Sequence, residues 1–504
     1  MQTFKHMKRI VDPVHGNIYI EKKYFRFIDT KYFQRLRRIE QSSIRSIFPC
    51  ARHDRFSHSI GVFHMGKRIV KQLSKESDFY SICDNENESK EKYNIIVNSY
   101  LIACLLHDIA HAPFSHTFEK YYGETRDLCK KLNDLLENKI DFDEDDYVRI
   151  KEHEIVSAIL IADIFRDEIE GDDFQGDCEL VVRMVIGQIY NDDETIENQI
   201  RNCFISLLNG CIVDADRLDY VCRDVWASGY KTATIDFERL ISNIYLRPAT
   251  NDGKRVVCFD VNVVNEVLSL NEIRTFQTTR VFCHHTVMYE QYLFEQAALK
   301  MMESIENVEL KGLNNIINYS TFMSPQKQKF KLNQAESNCY KFYLVADEDL
   351  LFLMKQSPDN KFYEDWSERK IEMCPIWETE EAFFYEFHAE SKKFGPKNNA
   401  LIEAIEQILQ ENGFEQEKYL VKNYKRKNTK LMPSFYIIEH NDKVVDYLDY
   451  THETKIVDNN GDDYFYYIYV DKNIWKAKTQ EDKVALRKRI GDKIVEYCRL
   501  RILL

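Results

Sequence analysis

The chain has 504 residues, 30% of them charged, and its 83 acidic against 69 basic side chains leave a formal net charge of −14. That length allows a large core and two or three domains, and the acidity gives no general electrostatic case for nucleic acid, which stays an unfavoured but open partner. Scarce Gly (15) and Pro (9) favour a helix-rich fold over a β sandwich, and thirteen cysteines without a Cys-x-x-Cys pair read as small core residues in a reducing compartment. The first residues lack the apolar core of a signal peptide, and no run of about 18 apolar residues occurs, so the expectation is a soluble cytoplasmic protein without a membrane partner.

In chain order, residues 1 to about 300 read as mostly helical. Asp29 and Thr30 are placed to cap a helix reaching Gln41, with Phe33, Leu36 and Ile39 on its apolar side. In Arg52-His-Asp-Arg55-Phe-Ser-His58, a histidine follows an arginine by three residues, which suits a metal ligand beside a phosphate clamp. Ser74 to Lys92 is polar and reads as a solvent loop.

The run Leu101-Ile-Ala-Cys-Leu-Leu-His107-Asp108-Ile-Ala-His111 then sets an imidazole and a carboxylate inside an apolar helix. A carboxylate there is costly unless it is paired, and a divalent cation pairs with it well. His107 and His111 are four apart, so one helical face presents both. Pro113 should stop or kink that helix before His116. Glu137 to Asp146 reads as a loop or weak surface helix, and Phe204 to Arg223 as a helix carrying Asp214, Asp216 and Asp219. Asp216 and Tyr220 can face one cavity; Asp219 and Arg223 read as an intrahelical ion pair.

Beyond residue 300 the character changes. Residues 345–356 and 398–412 read as short helices, and Ser434–Ile438 with Lys443–Tyr447 as a hairpin across Asn441-Asp442. Asp463–Val470 is an aromatic strand candidate, and Thr479-x-x-Asp482 opens a closing helix. The basic run Lys422 to Lys430 reads as a solvated loop, with nucleotide or nucleic-acid contact as the lesser reading.

The ordered set His58, His107-Asp108, Asp216 resembles the HD superfamily of metal-dependent phosphohydrolases. Further words narrow the resemblance: Asp12-Pro-Val-His-Gly16, Phe33-Gln-Arg-Leu-Arg37, Arg55-Phe-x-His58-Ser, His107-Asp-x-x-His-x-Pro-Phe-Ser-His116 and Asp216-x-x-Asp-Tyr-x-x-Arg-Asp224. Together they resemble the deoxynucleoside triphosphate (dNTP) triphosphohydrolases, which include the sterile-alpha-motif-and-HD-domain enzymes and bacterial dGTPase-like proteins. The match covers roughly residues 8 to 300. Nothing here resembles the sterile alpha motif domain, the HD signature beginning almost at Met1.

The fold expected is mainly α: an HD-domain helical phosphohydrolase core over 1–300, as the resemblance implies, followed on the residue pattern by a helical extension over 301–380 and a smaller α+β region over 381–504, regulatory or oligomerising. It implies that His58, His107, Asp108 and Asp216 hold a divalent metal (Fe, Mn, Zn or Co), with Mg carried by the nucleotide. It places His111, His116 and His153 against the reacting phosphates, with Glu119 supporting a catalytic histidine. Gln41, Arg55, Arg217, Tyr220, Asp224, Arg280 and His284 fall on substrate positions. Lys8, Asp29, Gln34 and Arg37 fall where some relatives recognise an activating nucleotide, although Gln34 and Arg37 equally suit a structural role. The expected reaction is hydrolysis of dNTP to deoxynucleoside and inorganic triphosphate in a nucleotide-regulated homo-oligomer (dimer, tetramer or hexamer), serving dNTP-pool control or antiviral defence. Two other readings stay open: an HD phosphodiesterase or nuclease, and a nucleotide sensor with weak or no turnover.

Overall fold

The computed structural model describes residues 7–76, 81–83, 85–210, 212–230, 235–303, 329–330, 340–341, 344–379, 381–383, 399–425, 434–451 and 464–500. The fold is mainly α with small sheets and an α+β C-terminal region. By compactness the chain forms two units that interleave along the sequence. The first comprises Met1–Thr278, Glu295–Asn360 and Pro433–Thr454; the second comprises Thr279–Phe294, Lys361–Met432 and Lys455–Leu504. No helix among the described residues is long and apolar enough to cross a membrane.

The first unit opens with the antiparallel hairpin β1 (Met7–Asp12) and β2 (Gly16–Glu21), turning at Gly16 with a φ of +72°. Thr30 caps α1 (Lys31–Arg35) by accepting from the Phe33 N–H. The expected helix does not reach Gln41. It tightens into one 3-10 turn over Leu36–Arg38, because Gln41 N–H bonds to the His53 carbonyl and Arg55 N–H to the Ile39 carbonyl, drawing the backbone out as an extended segment. Tertiary pairing overrides propensity here.

Asp54 caps α2 (Arg55–Leu73), and Asn85 caps α3 (Glu86–Leu106) with bonds from Asn87 and Glu88 N–H. The two helices pack closely at Gly66, where a Cβ would lie 2.8 Å from Cys104 Sγ. Residues Ile102 to Leu106 are fully buried, which is why this stretch of sequence is apolar all round. Then follow α4 (Glu152–Ile164), α5 (Cys178–Ile186), α6 (Ile196–Ser206) and α7 (Ala215–Ser228). The span expected as one helix from Phe204 to Arg223 is therefore two. Gly210 takes a φ of +126°, and Asp214 starts α7 by accepting from Arg217 N–H.

Strands β3 (Ile244–Pro248) and β4 (Arg255–Asp260) pair antiparallel, and β4 continues in parallel with Tyr436–Ile438, itself paired to Val444–Asp446. The hairpin expected from sequence thus extends a sheet of the first unit. Helix α8 (Asp347–Gln356) also belongs there.

In the second unit, Tyr464–Asp471 is the central strand between Met373–Pro375 and Tyr419–Lys425, both antiparallel to it. Helices Asn399–Glu411 and Gln480–Leu500 bury Leu401, Ile405, Leu409, Leu486 and Ile490 in the same core. Thr479 and Asp482 make the reciprocal cap that the sequence suggests. Of the basic run read as a loop, Lys422–Lys425 are instead part of the strand paired to Tyr464–Tyr467, and Arg426 to Lys430 lie outside the described residues.

Candidate metal centre and histidine cluster

Helix α3 ends at Leu106, and His107 is its C-cap. The expectation that His107 and His111 share a helical face is thereby corrected: residues 107–110 are turns, and the two histidines belong to different clusters. The helix stops before Pro113 is reached, so the break is set by the Asp108 turn and not by the proline.

The first cluster gathers the ends of three helices. His58, from the first turn of α2, brings Nε2 to 3.0 Å from Asp216 Oδ1 and 3.6 Å from Asp108 Oδ2. His107 Nε2 lies 3.4 Å from Asp108 Oδ2 and 3.8 Å from Asp216 Oδ1. Two imidazole nitrogens and two carboxylate oxygens thus converge, as the sequence order anticipated. Asp216 is the open side, its side chain 37% exposed, while the other three are buried.

The tautomers suit a cation. His58 Nδ1 bonds to Asp219 Oδ2 at 2.8 Å, and His107 Nδ1 to the Cys104 carbonyl at 3.1 Å. Each Nδ1 therefore donates outward and each Nε2 is the inward-facing nitrogen, free to coordinate once a bound cation displaces the proton that His58 Nε2 shares with Asp216, the arrangement that orients metal-binding histidines. His107 Nε2 is buried and has no hydrogen-bond partner. A mixed N/O donor set with one orphaned buried nitrogen fits a divalent transition metal, and its identity is left open by the chemistry. Burial opposes a charge on His58, but its bonds to Asp216 and Asp219 outweigh that and raise it to about 9. The facing imidazoles in turn hold Asp216 below the usual carboxylate range against its burial.

Asp219 was read from sequence as the partner of Arg223 alone. It is fully buried and accepts from Arg223 through both Nε (2.8 Å) and Nη2 (2.9 Å), from His58, and from His15 Nε2 at 2.6 Å. Arg223 also reaches Asp12, whose other oxygen accepts the Val14 and His15 N–H groups. The Asp12-Pro-Val-His-Gly16 turn is thereby tied to His58. Gly61 makes room for this: a Cβ there would sit 1.8 Å from Asp219 Oδ1.

The second cluster is His111, His116, Glu119 and His153. Glu119 Oε2 takes His153 Nδ1 at 2.5 Å and His116 Nδ1 at 3.1 Å, so one carboxylate orients two imidazoles. Burial pushes Glu119 up, yet the two histidines hold it well below its ordinary value. His111 stacks on His153 at 4.2 Å and is fully buried with both ring nitrogens unpartnered. Burial, with Arg55 and His153 nearby, keeps it neutral. His116 is the outward member, its side chain 57% exposed. Arg55 links the clusters: Nη1 donates to Asp108 Oδ2 at 2.6 Å and Nε to Ser115 Oγ at 3.1 Å.

Among the expected substrate residues, Asp224 is buried against His53 (Nε2 to Oδ1, 2.6 Å), whose backbone carbonyl takes the Gln41 N–H. Gln41 Oε1 and His53 Nδ1 are buried without partners. His53 carried no assignment from sequence, although it stands two residues before Arg55. Arg217 Nη1 donates to the Ile212 carbonyl, and Tyr220 lies one turn beyond Asp216 on α7. Arg280 and His284 belong to the second unit, where Arg280 pairs with Glu381. Lys8 pairs with Asp29, and Arg37 bonds to Gln34 while its guanidinium covers the Phe56 ring at 3.4 Å.

Residues 55–220 match the HD domain family. The chain is 25% identical over 474 residues to an uncharacterised protein of Methanocaldococcus jannaschii, covering 90% of this chain and 87% of that one. It is 30% identical over 239 residues (47% of this chain, 39% of the relative) to a protein of Dictyostelium discoideum named deoxynucleoside triphosphate triphosphohydrolase SAMHD1 homolog. The chain spans less than half the length of that relative and of the Bos taurus protein named deoxynucleoside triphosphate triphosphohydrolase SAMHD1. A crystal structure described as a phosphohydrolase from Bacteroides thetaiotaomicron shares the fold, with a TM-score of 0.59, 18% identity, and coverage of 93% of this chain and 100% of the other.

Proposed function

The chain carries an HD domain related to those of the dNTP triphosphohydrolases, and from that premise we propose that it is a metal-dependent hydrolase converting dNTP to deoxynucleoside and inorganic triphosphate. The observation that carries the reading is the adjacency of a four-donor His/Asp centre and a Glu-oriented histidine cluster, bridged by one buried arginine.

His58, His107, Asp108 and Asp216 would hold the metal. When bound, a divalent metal polarises a phosphoryl oxygen and lowers the pKa of a water. The remaining work falls to side chains. Arg55 and Arg217 offset the triphosphate charge in an otherwise acidic protein. Glu119 fixes the His116 ring through Nδ1, so that in the imidazolium form, which the Glu119 charge favours, the Nε2–H on the exposed side is the proton to be donated. His111, held neutral, and His153 form the wall beside the phosphates. Water adds to the α-phosphorus and gives up a proton, the bond from that phosphorus to the 5′-oxygen breaks, His116 as imidazolium protonates the leaving oxygen, and the proton released by the water restores the ring through solvent. Gln41, Tyr220 and Asp224 are assigned to the sugar. Arg280 and His284 are assigned to the substrate by resemblance, and Lys8, Asp29, Gln34 and Arg37 to an activating nucleotide in a homo-oligomer.

The test is incubation of the protein with each dNTP, singly and mixed, in Mn or Mg, with products separated by chromatography. Deoxynucleoside with triphosphate, lost in Asp108→Ala, is the expected result, and turnover only in mixtures marks an activator. Binding without turnover under every metal and mixture overturns the reading in favour of a sensor. Turnover of cyclic or polymeric substrates alone overturns it in favour of a phosphodiesterase or nuclease.

A further inference from the structure

The turn that carries the second cluster is strained. Phe114 and Ser115 adopt left-handed φ values of +54° and +55°, a region that non-glycine residues enter at a cost of about 1–3 kcal/mol each unless their surroundings over-determine it. Nothing in the turn's own sequence compensates, since Pro113 and Phe114 are not residues that favour this conformation. What holds it comes from far along the chain.

Asp347, the first residue of α8, accepts the Phe114 N–H through Oδ1 at 2.7 Å and the Glu40 N–H through Oδ2 at 2.8 Å. The two backbone donors come from segments about seventy residues apart, and one buried carboxylate is their common acceptor. Arg35 makes a second tie. It is 1% exposed, and its guanidinium donates to the Val345 carbonyl through Nε (2.8 Å) and Nη2 (2.6 Å) and to the His111 carbonyl through Nη1 (2.8 Å). Ser115 Oγ closes the arrangement on the Glu40 carbonyl. His111 and His116 thus flank a segment whose backbone is pinned at the His111 carbonyl by Arg35 and at the Phe114 N–H by Asp347, the latter outside the HD motif words.

We propose that Asp347 is a positioning residue for the His111–His116 turn, holding Phe114 in its left-handed conformation so that the Glu119-oriented histidines face the metal centre. The start of α8 and the Arg35 guanidinium act with it as one anchor. Burial pushes the Asp347 carboxyl up to about 7 while its two N–H bonds pull the other way, as befits a group that exists for internal bonding and not for solvent. None of the four metal-binding residues touches Asp347 in this network. Its loss should therefore leave metal binding intact and displace the histidines alone. The consequence for turnover rests on the proposed hydrolase reading; the anchoring itself does not.

The test is hydrogen–deuterium exchange on the full chain in Asp347→Ala and in the milder Asp347→Asn, which keeps one acceptor oxygen. The expected result is faster exchange, by about ten- to a hundred-fold, in peptides covering residues 110–117 and 39–41, with α2 and α7 unchanged. Manganese affinity measured by calorimetry should match wild type, and kcat should fall about ten- to a hundred-fold with KM within about threefold, Asp347→Asn losing less than Asp347→Ala. Unchanged exchange at 110–117 in a folded Asp347→Ala overturns the proposal. So does uniform loss of protection across both variants, or a fall in manganese affinity equal to the fall in kcat, since those describe general destabilisation. Should the wild type hydrolyse no dNTP, the proposed function fails while the exchange result still decides the anchor.

Discussion

The two neighbouring clusters are built in opposite ways. The candidate metal centre draws its donors from the starts of α2 and α7 and the end of α3, elements that need no help to be regular, and it locks each imidazole through Nδ1. The histidine cluster sits partly on a strained turn, is oriented by a single carboxylate, and depends on residues near 347. A site made from helix ends inherits its geometry from capping and packing; a site on a turn must be anchored from elsewhere. The first should therefore fail through lost ligands, the second through lost orientation.

The largest effect should come from removing a ligand. Asp108→Ala is expected to abolish stoichiometric metal binding, read by elemental analysis, and to reduce turnover by at least ~10³-fold; retained metal with retained activity would break the assignment. Asp219→Ala should be nearly as severe for a different reason. It strands Arg223, His58 and His15 in the interior and should cost about 3–5 kcal/mol in chemical denaturation, with metal affinity down about 10- to 100-fold. Loss of stability without loss of affinity would show that its bond to His58 is incidental.

Glu119→Gln sharpens the comparison. Metal binding should be unchanged, while kcat falls about 10²-fold, because only the orientation of His116 and His153 is lost. Equal damage to metal affinity would merge the two clusters into one functional unit.

The smallest effect lies outside both clusters. Burial, reinforced by the neighbouring His15, lowers His64 to about 4 from an ordinary 6.5. The folded state then binds fewer protons than the unfolded chain between those values, so stability is full above pH 6.5 and is lost as pH falls toward 4. Since the ring is partly exposed, His64→Phe should recover about 1 kcal/mol at pH 4.5 in urea titrations, with no change at pH 8. An unchanged pH profile would remove His64 from the acid response.

Much of the metal centre was legible because its donors stand in short words at the ends of amphipathic or buried helices. His58 follows an arginine at a helix start, His107-Asp108 closes an apolar run, and Asp216 follows a capping Asp214. The misreadings concern helix ends. The helix expected through Gln41 extends a local pattern past a point where a distant backbone, that of His53, takes over, while those expected across residues 204–223 and through His111 run past local breaks: the Gly210 turn with the Asp214 cap, and the Asp108 turn. Asp347 had no local signal at all, since its role exists only once Phe114 and Glu40 are brought beside it.

From sequence alone the chain determined its helical class, the Thr30 and Thr479 caps, the strands near 434–447 and 464–470 and the residue types of the converging donors, because these follow from hydrophobic period, capping chemistry and the cost of burying charge, whereas the strand Tyr419–Lys425 lies partly in the basic run read as a loop. Tertiary structure alone decided where the helices stop, which oxygen of Asp219 meets which imidazole, and how Asp347 and Arg35 hold a left-handed turn. Those outcomes depend on contacts between residues tens to hundreds of positions apart, and no local pattern encodes the distance across which a buried hydrogen bond must be satisfied.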